Sequence, residues 1–178
     1  MQDDPRIEAE EERAEAETSG TDESEAVAAH VPSHDRAQRF YDRIRHRITS
    51  YVESKGKVLG KSAEYLLLVP DVFMLLFRLA LDERVSSKNK VLLGTGLAYF
   101  IFPIDIMPEA LLGPIGFLDD LIFAVYILET MLVDTDEAVL REHWSGKDDV
   151  LDMIRNVLKQ AESLVSKDVI ERIRKMIK

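Results

Sequence analysis

The sequence of 178 residues predicts an all-α fold, a compact helical bundle with a central apolar helical hairpin behind a disordered acidic N-terminal tail. Apolar residues recur at steps of three and four along most of the chain, which is the helical period. Strands are hard to place anywhere. The first 35 residues contain almost no large apolar side chain, so burial there cannot offset the entropy lost when a chain is ordered.

The predicted organisation is a tail over residues 1–35 and one helical domain over residues 36–178. With 46% hydrophobic residues the chain is long enough for one core. Amphipathic helices are expected to flank that core at residues 36–53 and 147–177. The chain contains no cysteine, which excludes thiolate catalysis and cysteine-ligated metal centres.

The net charge of −10 is distributed unevenly. Residues 1–36 hold 12 acidic and 3 basic side chains, a net charge of −9, whereas the remainder is close to neutral at −1. Residues 36–61, which overlap that first segment only at Arg36, hold eight Lys and Arg against two acidic residues, a net charge of +6. This basic block is the main electrostatic feature of the predicted domain.

The first predicted helix is both basic and amphipathic, with apolar residues at spacings of three and four on one side. Arg39, Arg43 and Arg47 follow one another at intervals of four and are the candidates for contact with anionic headgroups. An ordinary solvated helix face explains the same pattern. Nucleic acid is not expected as a partner, because the acidic tail would compete with phosphate for the same arginines.

Two prolines are expected to interrupt helices. Pro70 lies inside the apolar run at residues 65–81, where its ring and missing N–H should break or restart a helix. Pro103 should end the next helix, for which Ser86 or Ser87 is the expected N-cap. The expected caps of a later short helix are Asp134 or Thr135.

Four carboxylates bracket the proline- and glycine-rich connector that follows Pro103. If they converge, they form a weak candidate for a metal site with oxygen ligands. The structural alternative is that Asp105 and one residue of the Asp119–Asp120 pair cap helix ends. No His or Lys lies in the connector to act as a base, and no cofactor is predicted. The four candidates are Asp105, Glu109, Asp119 and Asp120.

Residues 99–121, YFIFPIDIMPEALLGPIGFLDDL, resemble the signature of the YkvA-like family. The match rests on Pro103, Asp105, Pro108, Glu109, Gly116, Asp119 and Asp120, with the acidic–basic turn at residues 82–85 upstream. It covers about residues 66–130. The resemblance implies a compact helical domain, often associated with membranes, for which no biochemical activity is agreed.

A helix that spans a bilayer needs about 20 apolar residues, and residues 91–104 supply only fourteen. The apolar helices therefore have two arrangements open to them. The amphipathic flanking helices wrap them into a soluble bundle, or the hairpin at residues 87–132 enters a bilayer as a shallow re-entrant pair. In the second arrangement, the basic block would lie on the headgroups.

We therefore expect a non-catalytic module that associates with a membrane on its cytoplasmic side, or that binds a protein partner. The expected lipid partner is an anionic surface. Two alternatives remain open. One is a metal-dependent enzyme built on the connector carboxylates. The other is a soluble cytoplasmic homo-oligomer that uses the apolar hairpin as its interface.

Overall fold

The computed structural model describes residues 31–106, 116–164 and 167–177. These residues form seven α-helices and one 3-10 turn with no strand among them, so the all-α prediction is confirmed. Most of the predicted acidic tail, residues 1–30, lies outside this part. The elements are α1 (His34–Lys55), the 3-10 turn (Gly56–Leu59), α2 (Ser62–Leu81), α3 (Ser87–Ile106), α4 (Phe117–Met131), α5 (Glu137–His143), α6 (Val150–Leu164) and α7 (Lys167–Ile177).

Helix α4 lies at the centre of the bundle. It contacts α2, α3, α6 and α7, and eleven of its fifteen residues are buried. A helix that is apolar on every side needs such cover from several neighbours. The flanking helices α6 and α7 supply part of that cover, so α4 is enclosed on several sides. No helix in the described part of the chain is long and apolar enough to cross a bilayer.

Helix α1 is held to α2 by one apolar face. Ala37, Phe40, Ile44 and Ile48 are its buried residues, and the spacing of three and four puts them on one side of the helix. The Phe40 and Phe73 rings lie with their centroids 4.5 Å apart. The helix runs from His34 to Lys55, slightly beyond the predicted span of residues 36–53 at both ends.

The prediction that Pro70 breaks a helix is wrong. Helix α2 runs without interruption from Ser62 to Leu81, with Pro70 inside it and buried. An interior proline costs a helix about 3 kcal/mol, because one backbone hydrogen bond is lost and the ring crowds the preceding turn. Leu66, Val69 and Phe73 are fully buried on both sides of the proline, so apolar burial outweighs that cost.

The prediction that Pro103 ends its helix is also wrong, because α3 continues to Ile106. Pro103 lies in the last turn, where its missing N–H removes one backbone hydrogen bond without ending the helix. The start of α3 is as expected, since the Asn89 amide donates to Ser86 Oγ at 3.3 Å. The short helix α5 is capped by Asp136, which accepts from the Ala138 amide, and not by Asp134 or Thr135.

Thr135 has a different role. Its hydroxyl accepts a hydrogen bond from Asn89 Nδ2 at 3.1 Å, and both side chains are buried. This bond ties the start of α3 to the segment that leads into α5. Along α3, Gly96 allows close packing, since a Cβ atom there would lie 2.9 Å from Ile127 Cδ1 and 3.2 Å from Leu76 Cδ1. Helices α2, α3 and α4 therefore meet at Gly96.

Candidate functional site

The Asp119–Asp120 pair lies in the first turn of α4. The helix begins at Phe117 with Gly116 as its N-cap residue, and no side chain caps it. The expectation that Asp119 or Asp120 is the N-cap is therefore wrong, because the helix starts two residues before the pair. Both carboxylates still lie at the N-terminal end of α4, where the helix dipole favours negative charge.

Asp120 is a buried carboxylate, only 7% exposed. Burial, and then the charge of the neighbouring Asp119, raises the pKa of Asp120 well above its ordinary value. No hydrogen bond or cation from the described residues opposes these two effects. Burying an ionised group without a partner is costly, so the neutral form of this carboxyl is favoured.

Two further side chains belong to the same cluster. Tyr99 of α3 packs edge-on against Phe123 of α4, with ring centroids 4.9 Å apart. Burial, followed by the charges of Asp120 and Asp119, raises the pKa of the Tyr99 phenol. Arg172 of α7 lies close enough to the cluster for its charge to counteract the rise that burial causes in the Asp119 pKa.

The structure thus brings together Asp119, Asp120, Tyr99 and Arg172, of which sequence reasoning had identified only the two aspartates. Asp105 lies in the last turn of α3, which is unbroken at Pro103, and the segment that it is predicted to cap lies outside the described residues. Pro108 and Glu109 lie outside the described residues. Within the described ranges, no three His, Cys, Asp or Glu side chains are arranged to hold a metal ion.

The second candidate site is the outer face of α1. Arg39 and Arg43 are exposed and Arg47 is partly exposed, and Arg47 also interacts within the chain. On the inner side of the same helix, Ile44 and Ile48 are fully buried. Helix α1 is therefore anchored by its apolar face and presents arginines on its outer face.

The turn after α1 extends this basic surface. The 3-10 turn Gly56–Leu59 begins at Gly56 and is followed by Gly60. These two glycines have φ angles of 50° and 52°. Positive φ is strained for residues that carry a Cβ, and glycine avoids this strain. At the centre of the turn, Val58 is 87% exposed. The exposed lysines around it are Lys55, Lys57 and Lys61.

A third cluster lies at the other end of α2, in the acidic–basic turn of residues 82–85. Arg84 binds Asp82 through its guanidinium, with Nη2 at 2.6 Å from Oδ2, and through its backbone amide. His143 Nε2 lies 2.6 Å from the same carboxylate oxygen. Arg84 also pairs with Glu142 of α5. The Asp82 carboxylate, 8% exposed, thus joins the α2–α3 turn to α5.

The pH dependence of stability follows from this cluster. Bonds from Arg84, and then from His143, hold the pKa of Asp82 well below its ordinary value. A depressed pKa contributes stability that is complete above the unfolded value of about 3.9 and is lost as pH falls through the folded value. We expect Asp82→Asn to lower the melting temperature at pH 6–7, with the difference from wild type shrinking as pH falls below about 4.

Thermal melts between pH 2 and pH 7 measure this effect. Asp152→Asn removes the same charge from an exposed pair with Arg155 and is the matched control. We expect it to change the melting temperature little, because exposed ion pairs contribute at most about 1 kcal/mol. A difference between Asp82→Asn and wild type that stays constant across the whole pH range would contradict the role of Asp82.

Comparison with known proteins finds similarity to a domain of unknown function. A family model described as "Protein of unknown function (DUF1232)" matches residues 89–126, which cover most of α3 and the first part of α4. The uncharacterized protein ORF9 of Methanothermobacter thermautotrophicus is similar, with 22% identity over 106 residues that cover 60% of this chain and 73% of the relative. No solved structure matches the chain.

Proposed function

We propose that this chain is a non-catalytic helical module, of the YkvA-like type, that attaches peripherally to an anionic membrane surface on the cytoplasmic side. The observation that carries the proposal is the outer face of α1. Arg39 and Arg43 are exposed there, while the opposite face of the helix is held to α2. A rigid helix that presents a row of arginines fits a flat layer of phosphate and carboxylate headgroups.

The turn after α1 supports the same function. Val58 projects into solvent between Lys55, Lys57 and Lys61. An apolar side chain surrounded by lysines suits the boundary between headgroups and acyl chains, where the apolar group enters and the cations remain at the phosphates. Each Lys or Arg near such a surface contributes about 1 kcal/mol. Attachment would be reversible and sensitive to salt.

Vesicle binding tests the proposal directly. We expect the full chain to sediment with vesicles that contain phosphatidylserine at low salt and to be released as the salt concentration rises through the physiological range. Vesicles of phosphatidylcholine alone are the control and should bind little. Equal binding to both compositions, or no binding at low salt, would exclude an electrostatic membrane function.

The second candidate function is metal-dependent chemistry at the Asp119–Asp120 pair. The observation in its favour is that Asp120 is buried and that the charge of Asp119 acts on it, so two carboxylates lie close together. A divalent cation bound to both carboxylates would compensate for that burial. This candidate ranks second because the charge of Arg172 already acts on Asp119 and because two carboxylates are few for a hard cation.

A further inference from the structure

A groove of about 440 Å³ lies between the first half of α2 and the segment that joins α5 to α6. It is separate from the Asp119–Asp120 cluster and from the exposed arginines of α1. Its volume is in the range of sites for small molecules. Its walls include Tyr65 and Trp144 as aromatic residues and Glu64, Asp71 and Asp148 as acidic residues.

The Trp144 ring is fixed in this groove by two features of the loop. Its indole N–H donates to the carbonyl oxygen of Asp148 at 2.7 Å. Gly146 lies directly against the ring, and a Cβ atom at that position would overlap the indole. A short loop thus holds an aromatic side chain that remains only partly buried. Such preorganisation reduces the entropy that is lost when a ligand binds.

The charge of the groove selects the class of ligand. Three carboxylates and one ammonium group, that of Lys147, line it, which gives a net charge of −2. Asp71 is partly buried, and burial raises its pKa against the opposing effects of Arg45, Tyr41 and Arg78. The two arginines offset part of the negative charge at Asp71, whereas the other two carboxylates of the groove form no ion pair among the described residues. An anionic ligand would be repelled. A neutral apolar ligand would strip water from the carboxylates without replacing it.

We propose that this groove binds a small organic cation, a quaternary ammonium or guanidinium group on a short apolar body. Aromatic side chains attract organic cations, and the carboxylates supply opposite charge at short range. The apolar lining, which includes Leu68 and the buried Met153, accommodates the body of the ligand. A bare divalent metal is a poorer match, since the described residues offer no three-ligand cluster.

The chain carries its own probe for this site, because Trp144 is its only tryptophan. We expect choline, and separately agmatine, to change the fluorescence of Trp144 saturably in the full-length protein. The uncharged analogue of choline, 3,3-dimethylbutan-1-ol, has nearly the same shape. It should bind about tenfold more weakly, because it lacks the attraction of the cation for rings and carboxylates.

Two variants test the carboxylates separately. Glu64→Gln and Asp71→Asn should each weaken choline or agmatine binding about tenfold. Glu171→Gln, an exposed change on α7, is the matched control and should leave binding unaltered. Glu64 is exposed, so its variant tests the charge even if Asp71→Asn disturbs the contact with α1. Three results would overturn the proposal. They are binding of the neutral alcohol as tight as that of choline, the lack of a saturable signal with either cation, and wild-type affinity in both variants.

Discussion

The double variant Arg39→Glu, Arg43→Glu should bind vesicles containing phosphatidylserine at least about a hundredfold more weakly than the wild-type chain. Each arginine contributes about 1 kcal/mol near an anionic surface, and each glutamate adds repulsion in its place. Together these changes exceed the roughly 2.7 kcal/mol that corresponds to a hundredfold change in affinity. Both side chains are exposed, so the helix and its packing on α2 should be unaffected.

Arg47 is left unchanged in that variant because it interacts within the chain. The matched control is Lys159→Glu, Lys175→Glu, which alters the net charge equally but on α6 and α7, the helices that pack on α4. Vesicle sedimentation with far-UV circular dichroism measures binding and fold together. If both double variants lose affinity equally, net charge and not the face of α1 controls attachment.

Asp120→Asn should stabilise the protein at pH 8 by at least about 1 kcal/mol, because an ionised carboxylate costs more to bury than a neutral amide. The sign follows from the raised pKa of Asp120. The folded state holds a proton here more tightly than the unfolded state does, so this group favours folding in acid. That contribution is lost as pH rises through the folded value. The gain in the variant should therefore shrink toward pH 4.

Denaturant titrations at pH 4 and pH 8 measure this difference. Asp119→Asn is the matched comparison, since Asp119 is partly exposed and lies near Arg172, and its effect should be smaller. A metal site would give the opposite pattern. Added Mg²⁺ or Ca²⁺ would raise the stability of the wild-type protein through binding, and Asp120→Asn would abolish that increase.

The sequence was sufficient to predict most of the helices, because their apolar residues recur with the helical period. Ile44 and Ile48, predicted for the inner face of α1, are both fully buried. The errors lie at Pro70 and Pro103, where local propensity indicates a break. At Pro70 the helix continues because tertiary packing outweighs local propensity: apolar residues on both sides of the proline ring are buried. A single sequence gives no measure of that burial.

The candidate site was partly predictable for the same reason. Asp119 and Asp120 stood out because they adjoin glycine and proline breaks, but their caps were misassigned because α4 starts earlier than expected. Tyr99 and Arg172 reach the cluster from other helices. Nothing in the local sequence around either residue marks that meeting, which depends on how α3 and α7 pack on α4.

The central position of α4 also has a consequence for synthesis. Helices α2 and α3 precede α4 along the chain, whereas α6 and α7, which cover other parts of it, are made after it. While the ribosome completes those two helices, the nascent chain carries an apolar α4 with part of its surface uncovered. Exposed apolar surface of this kind promotes aggregation and chaperone binding. Chains that stop before Val150 should therefore be retained by chaperones, and release should coincide with completion of the C-terminal helices.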